Sequence, residues 1–253
     1  MARFRPTFWP TVCVIPMLAI LIGLGTWQVQ RLHWKQDIIA TIDARMEAEP
    51  TAMPASFDDP KEWAYRRVFV EGVFDHDHEL HLASRVHDGQ VGVHVVTPLA
   101  RTDPAGEGET ILVDRGWVPA DRRAPETRPD SQPAGEVRVE GVLRVSRGQG
   151  WMQPENDARA NLWFWLDLPA MADAAGMEAA PQVILEAAPT APGALPIGGQ
   201  TRVDIPNNHL EYAFTWYALA ATLLGVYLAF HWRRPPHRPS DPRYSDPERR
   251  HET

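Results

Sequence analysis

Cysteine is almost missing from this 253-residue chain, Cys13 being the only one. Beyond that position there is no thiol for a disulfide, a thiolate metal site or a covalent nucleophile, so any folded domain must be held by its own core. Motifs of common catalysis are missing as well. There is no G-x-x-x-x-G-K, G-x-S-x-G, H-E-x-x-H or CxxC, and the sequence speaks against a hydrolase more than for any enzyme. A basic stripe is also lacking. The 25 Lys and Arg are scattered against 33 Asp and Glu, leaving a formal net charge of -8 and no footprint of a nucleic-acid binder. Charge of either sign disappears in two places, between Arg5 and Arg31 and from Tyr212 to Trp232.

Those two uncharged runs organise the chain. A helix rises about 1.5 Å per residue, so each is long enough for a hydrocarbon core of about 30 Å. We expect membrane spans at residues 9–28, bent near Pro16, and 207–232. Ala19 with Gly23, and Ala221 with Gly225, are small residues four apart that would let the two helices approach. A cleaved signal peptide is the rival reading of the first run. Its length and the absence of a small-x-small site after it favour a retained anchor. Arg3 and Arg5 precede the first span, and Arg233, Arg234, His237 and Arg238 follow the second. The positive-inside rule then makes the tails, 1–8 and 233–253, cytoplasmic and the long central segment translocated. In a bacterium this is a multi-pass protein of the inner membrane with a periplasmic domain; in a mitochondrion the domain would face the intermembrane space. The last tail, rich in Pro, Arg and Asp, reads as disordered.

After the first span, residues 29–50 carry Leu32, Ile38, Ile39, Ile42 and Met46 at helical spacing, which predicts an amphipathic continuation that Pro50 ends. The pattern then changes. YRRVFVEGVF, ELHLAS, VGVHVVTPL, TILVDRGWV, EVRVEGVLR, NLWFWLDL and APQVILEA read as strands, with a short helix through PAMADAAG. The fold class expected for 51–206 is an exported α+β domain with a mainly antiparallel sheet that could curl into a barrel-like form, flanked by the two transmembrane α-helices.

Three places could carry chemistry. His209 stands at the head of the second span, and Tyr212 and Trp216 follow it on the same helix face. Trp27, Arg31, Trp34 and Lys35 recur at three-to-four spacing at the same membrane level. Imidazole is an axial ligand for haem iron, and aromatic walls with cations would suit the macrocycle and its propionates. An interfacial aromatic belt with snorkelling cations is the alternative. DHDHELHL is the second place: His76 and His78 would share a face if extended, with His81 and His87 nearby, as for a transition metal, or they are solvated turn residues. The third is VDRGWVP, where Arg115 and Trp117 beside Asp114 and Gly116 form either a turn lock or a partner-binding surface.

Taken in order, GTWQVQRLHWK, YRRVFVEGVF, VGVHVVTPL, ILVDRGWVP, VEGVLR, NLWFWLDL and NNHLEYAFTWYALA carry a resemblance from one span to the other. The chain resembles the surfeit locus protein 1 family, the Shy-type assembly factors for haem-copper cytochrome c oxidase. The resemblance implies two spans around one exported domain and a part in maturing oxidase subunit I, with haem A synthase as a further partner and membrane lipid around the spans. It implies transient binding of haem a with His209 as iron ligand, and the family's first-span pattern falls on Trp27, Gln28, Arg31, Trp34 and Lys35. A cofactor-free scaffold that clamps an assembly intermediate is the alternative function. Copper delivery through His76 and His78 is the third.

Overall fold

The computed structural model describes residues 3–4, 6–203 and 205–233. It divides into two compact units, one made of the chain up to Asp37 and from Pro206 onward, the other of Ile38–Ile205. The expected tail from residue 234 lies outside the described residues.

The first unit is a helix pair. Helix α1 (Phe8–Glu47) follows a two-residue strand β1 (Arg3–Phe4), and helix α4 (His209–His231) is followed by β9 (Trp232–Arg233), which pairs antiparallel with β1. Both helices are apolar and long enough to cross a membrane. They run antiparallel, as the bonds between them show: Thr11 Oγ1 lies 2.6 Å from Tyr227 Oη, and Thr26 Oγ1 lies 3.1 Å from Tyr217 Oη.

The expected small-residue seam is not where the helices meet. Ala19, Gly23, Ala221 and Gly225 are exposed, and a Cβ built on either glycine would touch nothing within 4 Å. The close approach is at Gly25, where a Cβ would stand 2.8 Å from the Tyr217 ring. Two residues along a helix is a rotation of about 200°, so Gly23 and Gly25 lie on opposite faces. The hydroxyl and amide pairs decide which of them faces the partner.

The second unit begins with the end of α1, where Ile42 is buried. After β2 (Thr51–Ala52) and the short α2 (Pro60–Trp63) come β3 (Arg67–Phe74), β4 (Leu80–His87), β5 (Gln90–Arg101), β6 (Thr110–Pro119), β7 (Glu136–Arg144), α3 (Leu168–Ala174) and β8 (Ile184–Ala187). The sheet order is β2-β3-β7-β8-β6-β5-β4, and β3 also pairs with β5 through Phe74 and Leu99. That extra pairing closes β3-β7-β8-β6-β5 into a five-stranded barrel. β6 and β8 are parallel, as are β2 and β3, and the other pairings are antiparallel.

Alternation explains what fills it. Val68 and Val70 of β3, Ile111 and Val113 of β6, Leu99, Leu143 and Leu185 form one fully buried cluster with Met53 and Val183. The opposite faces of β4, β5, β6 and β8 supply Leu80, Leu82, Val96, Leu112 and Ile184, which are covered by Trp163 and by Leu168 and Met171 of α3. Because β6 is covered on both faces it reads as a nearly continuous apolar run, whereas β3 alternates.

NLWFWLDL is not a strand. Trp163 exchanges backbone hydrogen bonds with His81 and Ala83 at a single bridge, and Asn161 has a left-handed φ of 50°. Beyond the bridge, Asn156 Oδ1 accepts the backbone N–H of Phe164 at 2.8 Å, and the Asp167 side chain caps α3. Side-chain acceptors replace the ladder there, so the run's β-forming residues serve to plug the core with Trp163, which is wholly buried.

Candidate functional site

His209 is the first residue of α4, after Asn208 at the N-cap. Its Nδ1 lies 2.6 Å from Oε1 of Gln28 on α1. An amide oxygen only accepts, so Nδ1 carries the proton and Nε2 keeps its lone pair. Among the described residues nothing occupies Nε2. Gln28 is 9% exposed, held in the helix contact between Gly25 and Lys35, whose ammonium group donates to the Pro206 carbonyl just before α4. The adjacent Asn207 Oδ1 is buried with no partner among the described residues. An imidazole with one nitrogen fixed by an outer hydrogen bond and the other free is how proteins present a histidine to a metal.

The remaining candidates at this level divide into two groups. Trp216 is half-buried on α4, and Lys35 is tied to the entry of that helix. Trp27, Trp34 and Tyr212 are 52%, 47% and 55% exposed, and the Arg31 guanidinium stacks 3.8 Å over Trp34 rather than over a group of α4. His209, Gln28 and Lys35 are therefore gathered by the helix pair, while Trp27, Arg31, Trp34 and Tyr212 stand outward as an aromatic and cationic surface. Gln28 entered the sequence reading only through the resemblance and not as a site residue, although an uncharged amide inside a long apolar run is a signal of a polar contact between spans.

The histidines of DHDHELHL do not share an extended face. His76–His78 is a single 3-10 turn, with His78 Nδ1 2.7 Å from Asp75 and His76 Nε2 3.1 Å from the Pro133 carbonyl. His87 is engaged by Gln200. No group of three His, Cys, Asp or Glu arranged to hold a metal ion occurs among the described residues.

A buried ionic cluster lies next to that turn. Glu79 Oε1 accepts from His81 Nε2 at 2.7 Å and from Arg128 Nη2, and both charged side chains of the Glu79–Arg128 pair are almost fully buried. Arg123 Nε donates to His81 Nδ1 at 3.0 Å, which makes His81 the tautomer protonated at Nε2. Arg128 also holds Ser131 Oγ and the Arg122 carbonyl, so one carboxylate anchors the 120–131 segment with its three successive 3-10 turns. Burial raises the Glu79 carboxyl, but the hydrogen bonds from His81 and Arg128 and the Arg128 charge outweigh it, leaving it below its ordinary value. Glu79 and His81 share a strand-period spacing in the sequence; Arg128 carries no such signal.

Arg115 and Trp117 belong to the same inner structure. Arg115 is the extra residue of a bulge, since Val96 pairs with Asp114 and Val95 with Gly116. It is 8% exposed, lies 4.8 Å over the Phe74 ring and donates to the Ser131 carbonyl, while Asp114 is bound to His94 and to the Gly116 N–H. Burial lowers the Arg115 guanidinium to about 10, with Glu79 opposing the shift and Arg128 adding to it. Trp117 is 4% exposed and its backbone pairs with Ile197. These side chains offer almost no surface to a partner: the Arg115 side chain ties the bulge to the 120–131 segment, and the Trp117 backbone ties it to Ile197 in the 189–199 loop.

Both units are spanned by one match. A family model described as the SURF1 family covers residues 15–221, from the first apolar helix through the barrel and into the second. The chain belongs to the SURF1 family. Surfeit locus protein 1 of Mus musculus is 41% identical over 234 residues, covering 86% of this chain and 74% of that one. The Homo sapiens protein of the same name is 42% identical over 225 residues, covering 82% and 72%. A SURF1-like protein of Monosiga brevicollis is 37% identical over 220 residues, with 83% and 82% covered. In this SURF1-family chain, His209, Gln28 and the whole barrel lie inside the matched region, and the two apolar helices make it a membrane protein.

Proposed function

We propose that this chain assists assembly of a haem-copper cytochrome c oxidase by holding haem a at the outer face of a bacterial inner membrane and passing it to oxidase subunit I. It acts in this reading as a carrier and not an enzyme, with haem A synthase as the source of cargo and the barrel on the periplasmic side. The observation that carries the proposal is the His209 imidazole, fixed through Nδ1 by Gln28 and free at Nε2. A single axial bond from a preset nitrogen suits a carrier, because transfer requires that the cargo also leave. The exposed Trp27, Trp34 and Tyr212 supply apolar wall, and Arg31 and Lys35 supply cations for propionates. Asn207 Oδ1 is a buried polar atom at this place with no hydrogen-bond partner among the described residues.

The test is the optical spectrum and extracted haem of detergent-purified protein from cells that make haem a. His209→Ala should purify with little or no haem a. Gln28→Leu should keep the helix pair but weaken binding by about 10–100-fold, the usual effect of losing a group that orients a ligand. A His209→Ala protein carrying as much haem as the parent would sink the proposal.

A further inference from the structure

A groove of about 540 Å³ runs between the last turns of α1 and the start of β3, wholly inside the barrel unit, which begins at Ile38. One side of it is an alanine ridge: Ala40, Ala44 and Ala48 recur every four residues and extend over about 12 Å. All three are exposed. Ile42 lies two residues from this ridge, which places it on the opposite side of the helix, and there it is buried. The helix end is thus held by its other face, and the alanines are left to solvent.

The charge of the groove comes from Arg45, Arg66 and Arg67, with Glu49 as the one carboxylate in its lining. Each guanidinium is fixed by a main-chain carbonyl: Arg45 Nη1 donates to Ala64 at 3.0 Å, Arg66 Nε to Glu62 at 3.0 Å, and Arg67 Nη1 to Ala48 at 3.4 Å. Arg66 also lies 5.1 Å over the Trp63 ring. A carbonyl orients a guanidinium without cancelling its charge, and a fork of five N–H donors keeps others for a second acceptor. Arg101, Arg128, Arg138 and Arg144 each pair with a carboxylate of this chain. Among the described residues, Arg45, Arg66 and Arg67 pair with none. In a protein of net charge -8, three oriented and uncompensated cations around one groove call for carboxylates from outside.

We infer that this groove docks an acidic amphipathic helix of a partner protein, its small apolar face on the alanine ridge and its carboxylates on Arg45, Arg66 and Arg67. A helix is favoured over a small anion because the groove is open to solvent and its alanine side continues for about two helical turns, which seats a rod. Small side chains also let two helix axes approach to about 8–10 Å. The inference depends neither on haem nor on His209.

The experiment uses the full chain in a neutral maltoside detergent and the fluorescence anisotropy of a rhodamine-labelled peptide of about four helical turns, with Glu along one face and Ala along the other. A control peptide has the same composition with Glu spread around the helix. Expected is saturable binding of the patterned peptide that Arg66→Glu weakens about tenfold and Arg66→Lys far less. Ala44→Trp, which fills the groove without removing a side-chain hydrogen bond, should also weaken it about tenfold. Both positions are exposed, so the near-ultraviolet circular dichroism of the variants should match that of the parent. Absence of saturable binding would overturn the inference, as would equal binding of the two peptides. Loss at Arg66→Glu without loss at Ala44→Trp would reduce the groove to a general attraction for anions and would overturn the docked helix. Equal binding to micelles without protein would place the peptide in detergent, which overturns it too.

Discussion

Replacing Gly116 by Ala should destabilise the barrel by about 3 kcal/mol or more, the largest effect expected of so small a change. Gly116 has φ +114°, a conformation closed to L side chains, and a Cβ there would stand 2.0 Å from the Ile197 carbonyl oxygen. Neither partner can yield cheaply. The Gly116 N–H is held by Asp114, and on the other strand Ile197 exchanges both backbone hydrogen bonds with Trp117. Near-ultraviolet circular dichroism of the detergent-solubilised full chain through a thermal or urea transition would read the loss. Gly108→Ala is the comparison, because Gly108 also has positive φ, at +85°, but has open space around it. It should cost only about 1 kcal/mol, the conformational part alone. Equal effects at the two positions would show that the loop does not press on the bulge as described.

Glu79→Ala is expected to cost about 3–5 kcal/mol, because it strips the counter-charge from Arg128 while that guanidinium stays buried. His81 Nε2 would lose its acceptor at the same time, and the 120–131 segment would lose its anchor. Replacing both Glu79 and Arg128 by apolar residues of similar volume should recover part of the loss, since Arg128 would no longer be stranded, while Arg115 and His81 would still lack Glu79. If the double variant were no better than Glu79→Ala, the pair would not be the cause. The pH dependence has a definite sign. The folded carboxyl lies below its unfolded value near 4.5, so its contribution is complete above that value and is lost as pH falls through the folded value. The parent should therefore weaken steadily on acidification below about pH 5, and Glu79→Gln should show a flatter profile over the same interval. Parallel slopes in parent and Glu79→Gln would remove Glu79 as the group responsible.

Neither substitution touches the helix pair, so under the proposed function the haem content of these variants separates a damaged barrel from a damaged ligand. The converse holds for His209→Ala and Gln28→Leu, which leave the barrel core untouched.

Much of this protein is legible in one dimension. Two uncharged runs of membrane-spanning length follow from composition alone, because a bilayer core excludes charge whatever the rest of the chain does. β3 and β7 could be read from alternation, since one side of each is wet, and β6 from its continuous apolar run. His209 could be singled out as a candidate, as the only strong ligand type at the head of the second span.

What the order of residues did not reveal are pairings between distant positions. Closure of the barrel depends on Phe74 meeting Leu99, and no local pattern encodes that. NLWFWLDL has the residues of a strand, but Asn156 takes the Phe164 N–H and the run's own Asp167 caps α3, so tertiary packing overrode propensity. Gly23 and Gly25 are equally small, and only the rotation of α1 against α4, set by Thr11 with Tyr227 and Gln28 with His209, decided that Gly25 is the contact. Glu79 and Arg128 are 49 residues apart, and Gln28 and His209 are 181 apart. Hydrogen bonds and ion pairs are short-ranged, so chemistry that rests on them appears only once the fold has brought such positions within a few ångströms. Composition and period thus determined the spans, most strands and the candidate imidazole. The fold decided which nitrogen of that imidazole is held and which is free.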